Sequence, residues 1–92
     1  MIKTWKSAGL RELFETGTSR RVDPKLHKRA IARLTALNAA NDLRPLYLPG
    51  YELHKWAGWT DKWSISVSGP WRITFIWTKG EAYDVDLENP HG

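Results

Sequence analysis

The chain has 92 residues, of which 41% are hydrophobic and 26% are charged, and it carries a net charge of +4. These values are ordinary for one globular domain spanning residues 1–92, and they argue against a disordered chain. No apolar run approaches the roughly 20 residues that a membrane span requires, and the N-terminus lacks the apolar stretch of a secretory signal. We therefore expect a cytoplasmic protein and, since there is no cysteine, neither disulfides nor a thiolate metal site.

The positive charge is concentrated in the N-terminal half. Residues 1–44 carry ten Lys or Arg against four Asp or Glu, whereas residues 45–92 carry four against six. A basic half indicates a polyanionic or acidic protein partner, although a solvated basic helix face explains it equally well. The six tryptophans are a second bias, because tryptophans in loops beside lysines can stack on nucleic-acid bases.

The beginning of the chain predicts a short strand and then a helix. Residues 2–5 alternate apolar and polar side chains, as a strand does. Ser7 can cap the following helix and Gly17 is a natural end for it. The apolar face of this helix would consist of Leu10, Leu13 and Phe14.

The second helix is predicted between Asp23, a good N-cap, and Asn41. Pro24 suits the first helical position, where its missing N–H has no partner to lose. The apolar face contains Leu26, Ala30, Ile31, Leu34 and Leu37. Four basic side chains lie largely on the other face, namely Lys25, Lys28, Arg29 and Arg33. His27 lies among them, and we expect it to be solvated.

From Tyr51 onward the hydrophobic period changes to two, which predicts strands. Residues 42–50 contain two prolines and a glycine and indicate an extended connection. Alternating segments follow at 51–56, 62–68, 71–78 and 81–87, separated by a loop at 57–61 and turns at 69–70 and 79–80. Short turns between alternating strands predict an antiparallel meander, and two helices covering its apolar face give a two-layer α+β domain.

Strand alternation divides the predicted sheet into two faces. The inward side chains would be Tyr51, Leu53, Trp63, Ile65, Val67, Trp71, Ile73, Phe75, Trp77, Tyr83, Val85 and Leu87. The polar face, which the helices leave uncovered, would carry Glu52, His54, Ser64, Ser66, Ser68, Arg72, Thr74 and Thr78. A histidine, an arginine and hydroxyls on one face suit a phosphate or an RNA strand, and the neighbouring loop adds Lys55, Trp56 and Trp59.

RNA cleavage by attack of a 2′-hydroxyl requires a base, an acid and a fixed cation. Histidine suits either proton-transfer role, and the planar guanidinium of arginine matches phosphate oxygens. Each residue also has a plainer interpretation: His54 as a surface residue, Arg72 paired with Asp84 or Asp86, the two tryptophans packed on the edge of the core, and His91 as a frayed end. The residues by themselves support a small basic α+β domain with a candidate RNA-binding face.

Several stretches along the chain resemble the HigB toxins of the RelE superfamily. They are "MIKTWKSAGLRELFETG", "RLTALNAANDLRPL", "LPGYELHKWAG", "KWSISVSGPWRITFIWTKGEAYDV" and a short tail that ends at a histidine. The resemblance implies a RelE-like two-layer fold, with two N-terminal helices packed on an antiparallel sheet of four to five strands. It also implies a bacterial type II toxin that cuts mRNA codons in the A site of the 70S ribosome, with no cofactor or metal. The implied partner is a HigA-type helix-turn-helix antitoxin, through which the toxin would meet operator DNA indirectly.

The resemblance also assigns roles to individual residues. His54, Arg72 and His91 are the implied catalytic residues, with the histidines sharing the proton transfers and Arg72 meeting the phosphate charge. Lys55 is the nearest match to a lysine that some members carry after the central histidine. The candidate RNA-binding set is Lys55, Trp56, Trp59 and Asn89.

The tail differs from the usual family ending. Many members end in Asp-Tyr-His, whereas this chain has Asn89, Pro90 and His91. A second interpretation is therefore a toxin-fold protein that cleaves poorly and acts by binding the ribosome or its antitoxin. In either case Lys25, Lys28, Arg29 and Arg33 would contact 16S rRNA or an acidic face of the antitoxin.

Overall fold

Two helices pack against one face of a four-stranded antiparallel sheet in the computed structural model, which describes residues 1–90. The elements are α1 (Ala8–Thr16), α2 (Pro24–Ala39), β1 (His54–Lys55), β2 (Lys62–Ser68), β3 (Trp71–Thr78) and β4 (Glu81–Glu88). The strands are neighbours in the order β1-β2-β3-β4, as a meander requires. A short 3₁₀ turn, Arg44–Leu46, lies in the connection between the layers. The predicted two-layer α+β architecture is confirmed.

Side chains at the helix ends explain where the helices begin and end. Ser7 Oγ accepts a hydrogen bond from the backbone N–H of Leu10 at 3.0 Å, and Gly17 closes α1 in the left-handed conformation with φ 87°. Asp23 caps α2 through the N–H of Lys25 at 3.0 Å. The helix ends at Ala39, before the predicted Asn41, because Ala40 is already extended and buried in the core. Neither helix within residues 1–90 is long and apolar enough to cross a bilayer.

One hydrophobic core fills the space between the layers. The helices contribute Leu10, Leu13, Leu26, Ala30, Leu34 and Leu37, which are buried as predicted. The sheet contributes Ile65, Val67, Ile73, Phe75, Ala82 and Val85. Ile31 is only half-buried and packs against the edge of this core. The large apolar area removed from water between the two layers is the main stabilising term of the fold.

The first predicted strand is reduced to two isolated contacts. Residues 2–5 run parallel to β4, but only Ile2 and Trp5 form bridges, to Ala82 and Val85. The two bridges are three residues apart on both segments, and between them β4 carries a bulge relative to β3. Asp84, at φ 52°, is the extra residue, and its N–H donates to Thr4 Oγ1 at 2.8 Å.

The β4 bulge overturns part of the predicted face assignment. Thr74 pairs with Asp86 while Ile76 pairs with Tyr83, so the inward position moves by one residue along β4. Ala82 is therefore buried, whereas Tyr83 is only half-buried. A second irregularity, in β2 between Ser66 and Ser68, lies opposite the start of β3, where Trp71 remains 36% exposed. The predictions that Tyr83 and Trp71 face the core are wrong.

The strand predicted over 51–56 is also shorter than alternation suggested. Only His54 and Lys55 pair with β2, because Glu52 has a positive φ of 47° that no continuous strand contains. Leu53 is nevertheless buried as predicted. The turn at Lys79 and Gly80 is confirmed: both residues have positive φ, 52° and 76°, which is the type I′ geometry of a two-residue hairpin.

Candidate active site

The register of the strands aligns polar side chains on the sheet face opposite the helices, hereafter the polar face. One row crosses all four strands and consists of His54, Ser64, Thr74 and Asp86. The next row consists of Ser66, Arg72 and Glu88. This face is less open than predicted, because Ser64 and Thr74 have no exposed surface. Long side chains from the neighbouring row lie over these hydroxyls and hydrogen-bond to them.

Arg72 is held by acceptors from two other segments. Its Nε donates to Ser64 Oγ at 2.7 Å, and its Nη2 donates to the backbone carbonyl of Glu52 at 2.5 Å. Its Nη1 lies 3.6 Å from the Glu52 carboxylate, and only 12% of the Arg72 side chain is exposed. Burial lowers the pKa of Arg72, the Glu52 carboxylate partly offsets this, and the guanidinium stays protonated. The alternative pairing with Asp84 or Asp86 is wrong, because Glu52 is the acidic neighbour.

His54 lies directly beside this cation. It begins β1, its side chain is exposed, and its Nδ1 is 3.5 Å from Arg72 Nη2. A guanidinium has only donors, so Nδ1 is the acceptor in this contact. The imidazole therefore meets solvent on one side and a fixed positive charge on the other.

These two residues share a cleft of about 410 Å³, hereafter the Arg72 cleft. Its walls are His54, Lys55, Trp56, Ala57, Arg72 and Pro90. Four of the predicted site residues thus lie together, and Asn89 directly precedes the Pro90 wall. Trp59 does not line this cleft, and His91 lies outside the described residues. A cleft of about 400 Å³ beside the end of α1 is lined by acidic, polar and basic side chains, and none of these lining residues is a histidine.

Sequence reasoning missed a second buried cation on the polar face, Lys62. Its Nζ is 2.9 Å from Glu88 Oε2, and 13% of its side chain is exposed. Glu88 also accepts from Thr74 Oγ1 at 2.6 Å. Burial by itself raises the pKa of Glu88, but the hydrogen bonds from Thr74 and Lys62 outweigh it and the pKa is lowered. Strand alternation predicts that Lys62 lies on the polar face, because it precedes Ser64 by two positions on the same strand.

The loop at 56–61 is organised around the same lysine. Lys62 Nζ lies 5.3 Å from the ring centre of Trp56 and 5.1 Å from that of Trp59. The N–H of Trp56 donates to the Lys62 carbonyl at 2.8 Å, and the N–H of Trp59 donates to the Trp56 carbonyl at 3.1 Å. Trp59 is 51% exposed. The alternative that both tryptophans pack on the core is therefore wrong for Trp59, since cation–π contacts hold it at the surface.

The basic face of α2 is not uniform. Lys25, Lys28 and Arg29 are exposed as predicted. Arg33 instead points back to the sheet, donating from Nε to the Ser66 carbonyl at 2.6 Å and lying 4.4 Å over the Tyr51 ring. His27, expected to be solvated, is half-buried with Nε2 2.8 Å from the Val22 carbonyl. Three of the four basic residues are thus free to meet a partner.

Comparison with known proteins agrees with the fold. A family model described as a RelE-like toxin of the type II toxin-antitoxin system HigB matches residues 3–91. The chain is also 38% identical over 92 residues to a protein named Endoribonuclease HigB from Proteus vulgaris. That alignment covers 99% of this chain and 100% of the relative.

Proposed function

The chain belongs to the HigB-like family of RelE-like toxins of type II toxin-antitoxin systems, and on this premise we propose that it is a ribosome-dependent mRNA endoribonuclease. It would cut translated message in the ribosomal A site by 2′-hydroxyl attack, without a metal. The observation that carries the proposal is the buried guanidinium of Arg72 beside His54 in one open cleft. A type II toxin has an antitoxin partner, and we propose a HigA-type helix-turn-helix protein for that role.

Arg72 is the group that would stabilise charge on the pentavalent phosphorane. Its position is set by neutral acceptors, Ser64 Oγ and the Glu52 carbonyl, so its orientation does not depend on substrate. The ion pair of Arg72 with its acidic neighbour is weak, because the Glu52 carboxylate is 3.6 Å away and that side chain is 68% exposed. A phosphate oxygen can replace this carboxylate at Nη1, and a preorganised donor of this kind is worth most where charge develops in the transition state.

His54 and His91 are proposed to share the two proton transfers. One removes the proton of the attacking 2′-hydroxyl, and the other protonates the 5′-oxygen as the P–O bond breaks. His54 Nδ1 faces Arg72 in the free protein. The other ring nitrogen, Nε2, is therefore the one proposed to exchange a proton with the RNA. The assignment of His91 rests on the family resemblance of the tail.

The surroundings of the cleft support binding of single-stranded RNA. Lys55 and Trp56 are walls of the cleft, and they offer a cation for the backbone and a ring for stacking. Asn89 follows β4 next to the Pro90 wall. On the other layer, Lys25, Lys28 and Arg29 are proposed to contact 16S rRNA phosphates.

Primer extension on a translated message tests this function. The wild type is expected to produce cuts within codons when ribosomes are present and none on the naked message. His54→Ala should abolish the cuts, whereas His27→Gln, a change at a histidine outside the cleft, should leave them. An intact message stalled on ribosomes would instead support a toxin-fold protein that acts by binding. Cuts that appear equally without ribosomes would contradict ribosome dependence.

A further inference from the structure

The polar face continues beyond the Arg72 cleft to a second concavity, hereafter the Trp59 cleft. It has a volume of about 270 Å³ and is lined by Lys6, Trp59, Asp61, Lys62, Ile76 and Asp84. Ile76 pairs with Lys62 and lies four residues along β3 from Arg72. At about 3.3 Å per residue, the two clefts are therefore about 13 Å apart along the strand.

Lys62 separates the two clefts and fixes a tryptophan on each side. Its ammonium lies over both indole rings, with Trp56 lining the Arg72 cleft and Trp59 lining the Trp59 cleft. Glu88 anchors the ammonium from the end of β4 at 2.9 Å. The two rings are consequently held at a set separation before any ligand arrives.

The charges of the Trp59 cleft favour a neutral group over a phosphate. Its two lysines are balanced by two aspartates, and the ammonium of Lys62 is already paired with Glu88. The half-exposed ring of Trp59 offers a stacking surface that any base can use. Within residues 1–90 no hydrogen bond reaches the carboxylate of Asp61, and a carboxylate accepts readily from an exocyclic amino group.

We propose that the Trp59 cleft binds the base of a neighbouring nucleotide of the RNA strand whose scissile phosphate meets Arg72. Trp59 stacks on this base, and Asp61 accepts a hydrogen bond from its amino group. The cleft therefore selects adenine, cytosine or guanine over uracil at one position near the cut. This inference rests on the proposed nuclease function and assigns a second base subsite to it.

Cleavage kinetics on ribosomes programmed with defined messages test the subsite. Trp59→Leu should lower kcat/KM by roughly five- to a hundredfold, the range expected for loss of one base–aromatic stack, whereas Trp59→Phe should retain most of the activity. Trp71→Leu is the matched control, because Trp71 is also partly exposed but lines neither cleft. If Trp59→Leu cleaves as well as the wild type, the subsite is wrong.

The identity of the neighbouring base gives an independent readout. Messages that differ at one position at a time should show a preference against uracil at a single position beside the cut. Asp61→Asn should flatten that preference, because an amide can donate to the O4 of uracil as well as accept from an amino group. A preference that survives Asp61→Asn unchanged would overturn the role of Asp61.

Photocrosslinking separates failure of the subsite from failure of the nuclease function. A message that is 2′-deoxy at the scissile position and carries 8-azidoadenosine at one position at a time cannot be cut by 2′-hydroxyl attack. The proposal predicts a crosslink to residues 59–62 from one neighbouring position. This crosslink without cleavage of the ordinary message would refute only the nuclease function. Cleavage with no crosslink to residues 59–62 from any position would refute the subsite alone.

Discussion

Arg72 and Lys62, two cations that the polar face largely buries, are held by different kinds of partner. Lys62 is neutralised at 2.9 Å by the carboxylate of Glu88. Arg72 is fixed by a hydroxyl and a carbonyl, and its acidic neighbour Glu52 stays 3.6 Å away. Since only the second arrangement leaves positive charge uncompensated at close range, Arg72 is suited to meet a phosphate and Lys62 to hold structure.

The Glu88 carboxylate should make stability depend on acid pH. Its pKa is below the ordinary value of 4.5 in the folded protein because the bonds from Thr74 and Lys62 outweigh burial. As the pH falls, the unfolded chain therefore takes up this proton first, and the stabilisation is lost between the ordinary pKa and the lower folded value. Glu88→Gln should be less stable than the wild type at neutral pH, by about 1 kcal/mol or less, and the gap should close in acid.

Urea unfolding of the wild type and Glu88→Gln from pH 7 to pH 3 measures this gap. Glu15→Gln is the control, because Glu15 is exposed in a surface pair with Arg11 and has no buried partner. A gap that stays constant over this range would show that the charge of Glu88 adds nothing to folding.

The sequence predicted those elements whose ends depend on residues adjacent in the chain. The cap at Ser7, the left-handed Gly17 and the Lys79-Gly80 turn each depend on a few adjacent residues, and all three are present. The bulge at Asp84 was not predictable, because no adjacent residue signals it and its N–H bonds to Thr4, 80 residues away in the chain. Alternation therefore failed at Tyr83, because the bulge shifts the register of β4 by one residue.

Part of the candidate site was also predictable, because strand alternation places its residues on one face of the sheet. His54 and Arg72 belong to the polar face by alternation, and pairing of β1 and β3 with β2 brings them together. Alternation gives the face of a residue but not its partners. The contact of Arg72 with Glu52 follows from the left-handed backbone before β1, and the role of Glu88 follows from the register of β3 with β4. Both depend on geometry that no short stretch of sequence contains.

The β3–β4 hairpin provides a test at the scale of one element. Lys79 adopts a left-handed conformation that asparagine tolerates better, so Lys79→Asn should stabilise the protein by about 0.5–1 kcal/mol. Gly80→Ala should destabilise it by about 1–3 kcal/mol, because the new Cβ would lie 2.8 Å from the backbone oxygen of Asn41. Urea midpoints of the two variants measure the effects. If the two variants had the same urea midpoint, the assigned turn would be contradicted.

At the scale of the whole molecule, the two candidate contact surfaces lie on opposite layers. α2 packs against the apolar face of the sheet, so its outward face, with Lys25, Lys28 and Arg29, points away from the Arg72 cleft. The molecule is small, about 32 × 27 × 24 Å. Under the proposed function, a ribosomal partner would contact the helical layer while message enters the cleft on the sheet layer.

Neutralising the outward face of α2 tests this arrangement. Replacing Lys25, Lys28 and Arg29 by glutamine should lower the slope of log affinity for the ribosome against log salt by about 2–3, since each phosphate contact contributes about 0.7–0.9. Arg33→Gln should leave the slope unchanged and reduce stability instead, because Arg33 bonds to Ser66 within the protein. An unchanged slope in the triple variant would show that this face does not contact ribosomal RNA.

The most direct test of the central claim is the single-turnover cleavage rate of Arg72→Lys on programmed ribosomes. Lysine keeps the charge, but one ammonium cannot bond to Ser64, to the Glu52 carbonyl and to a phosphate in the geometry of a guanidinium. The rate should fall by about 10²–10³ while ribosome affinity stays unchanged. A variant that cleaves within about threefold of the wild type would contradict the assignment of Arg72 as the cation that stabilises the transition state.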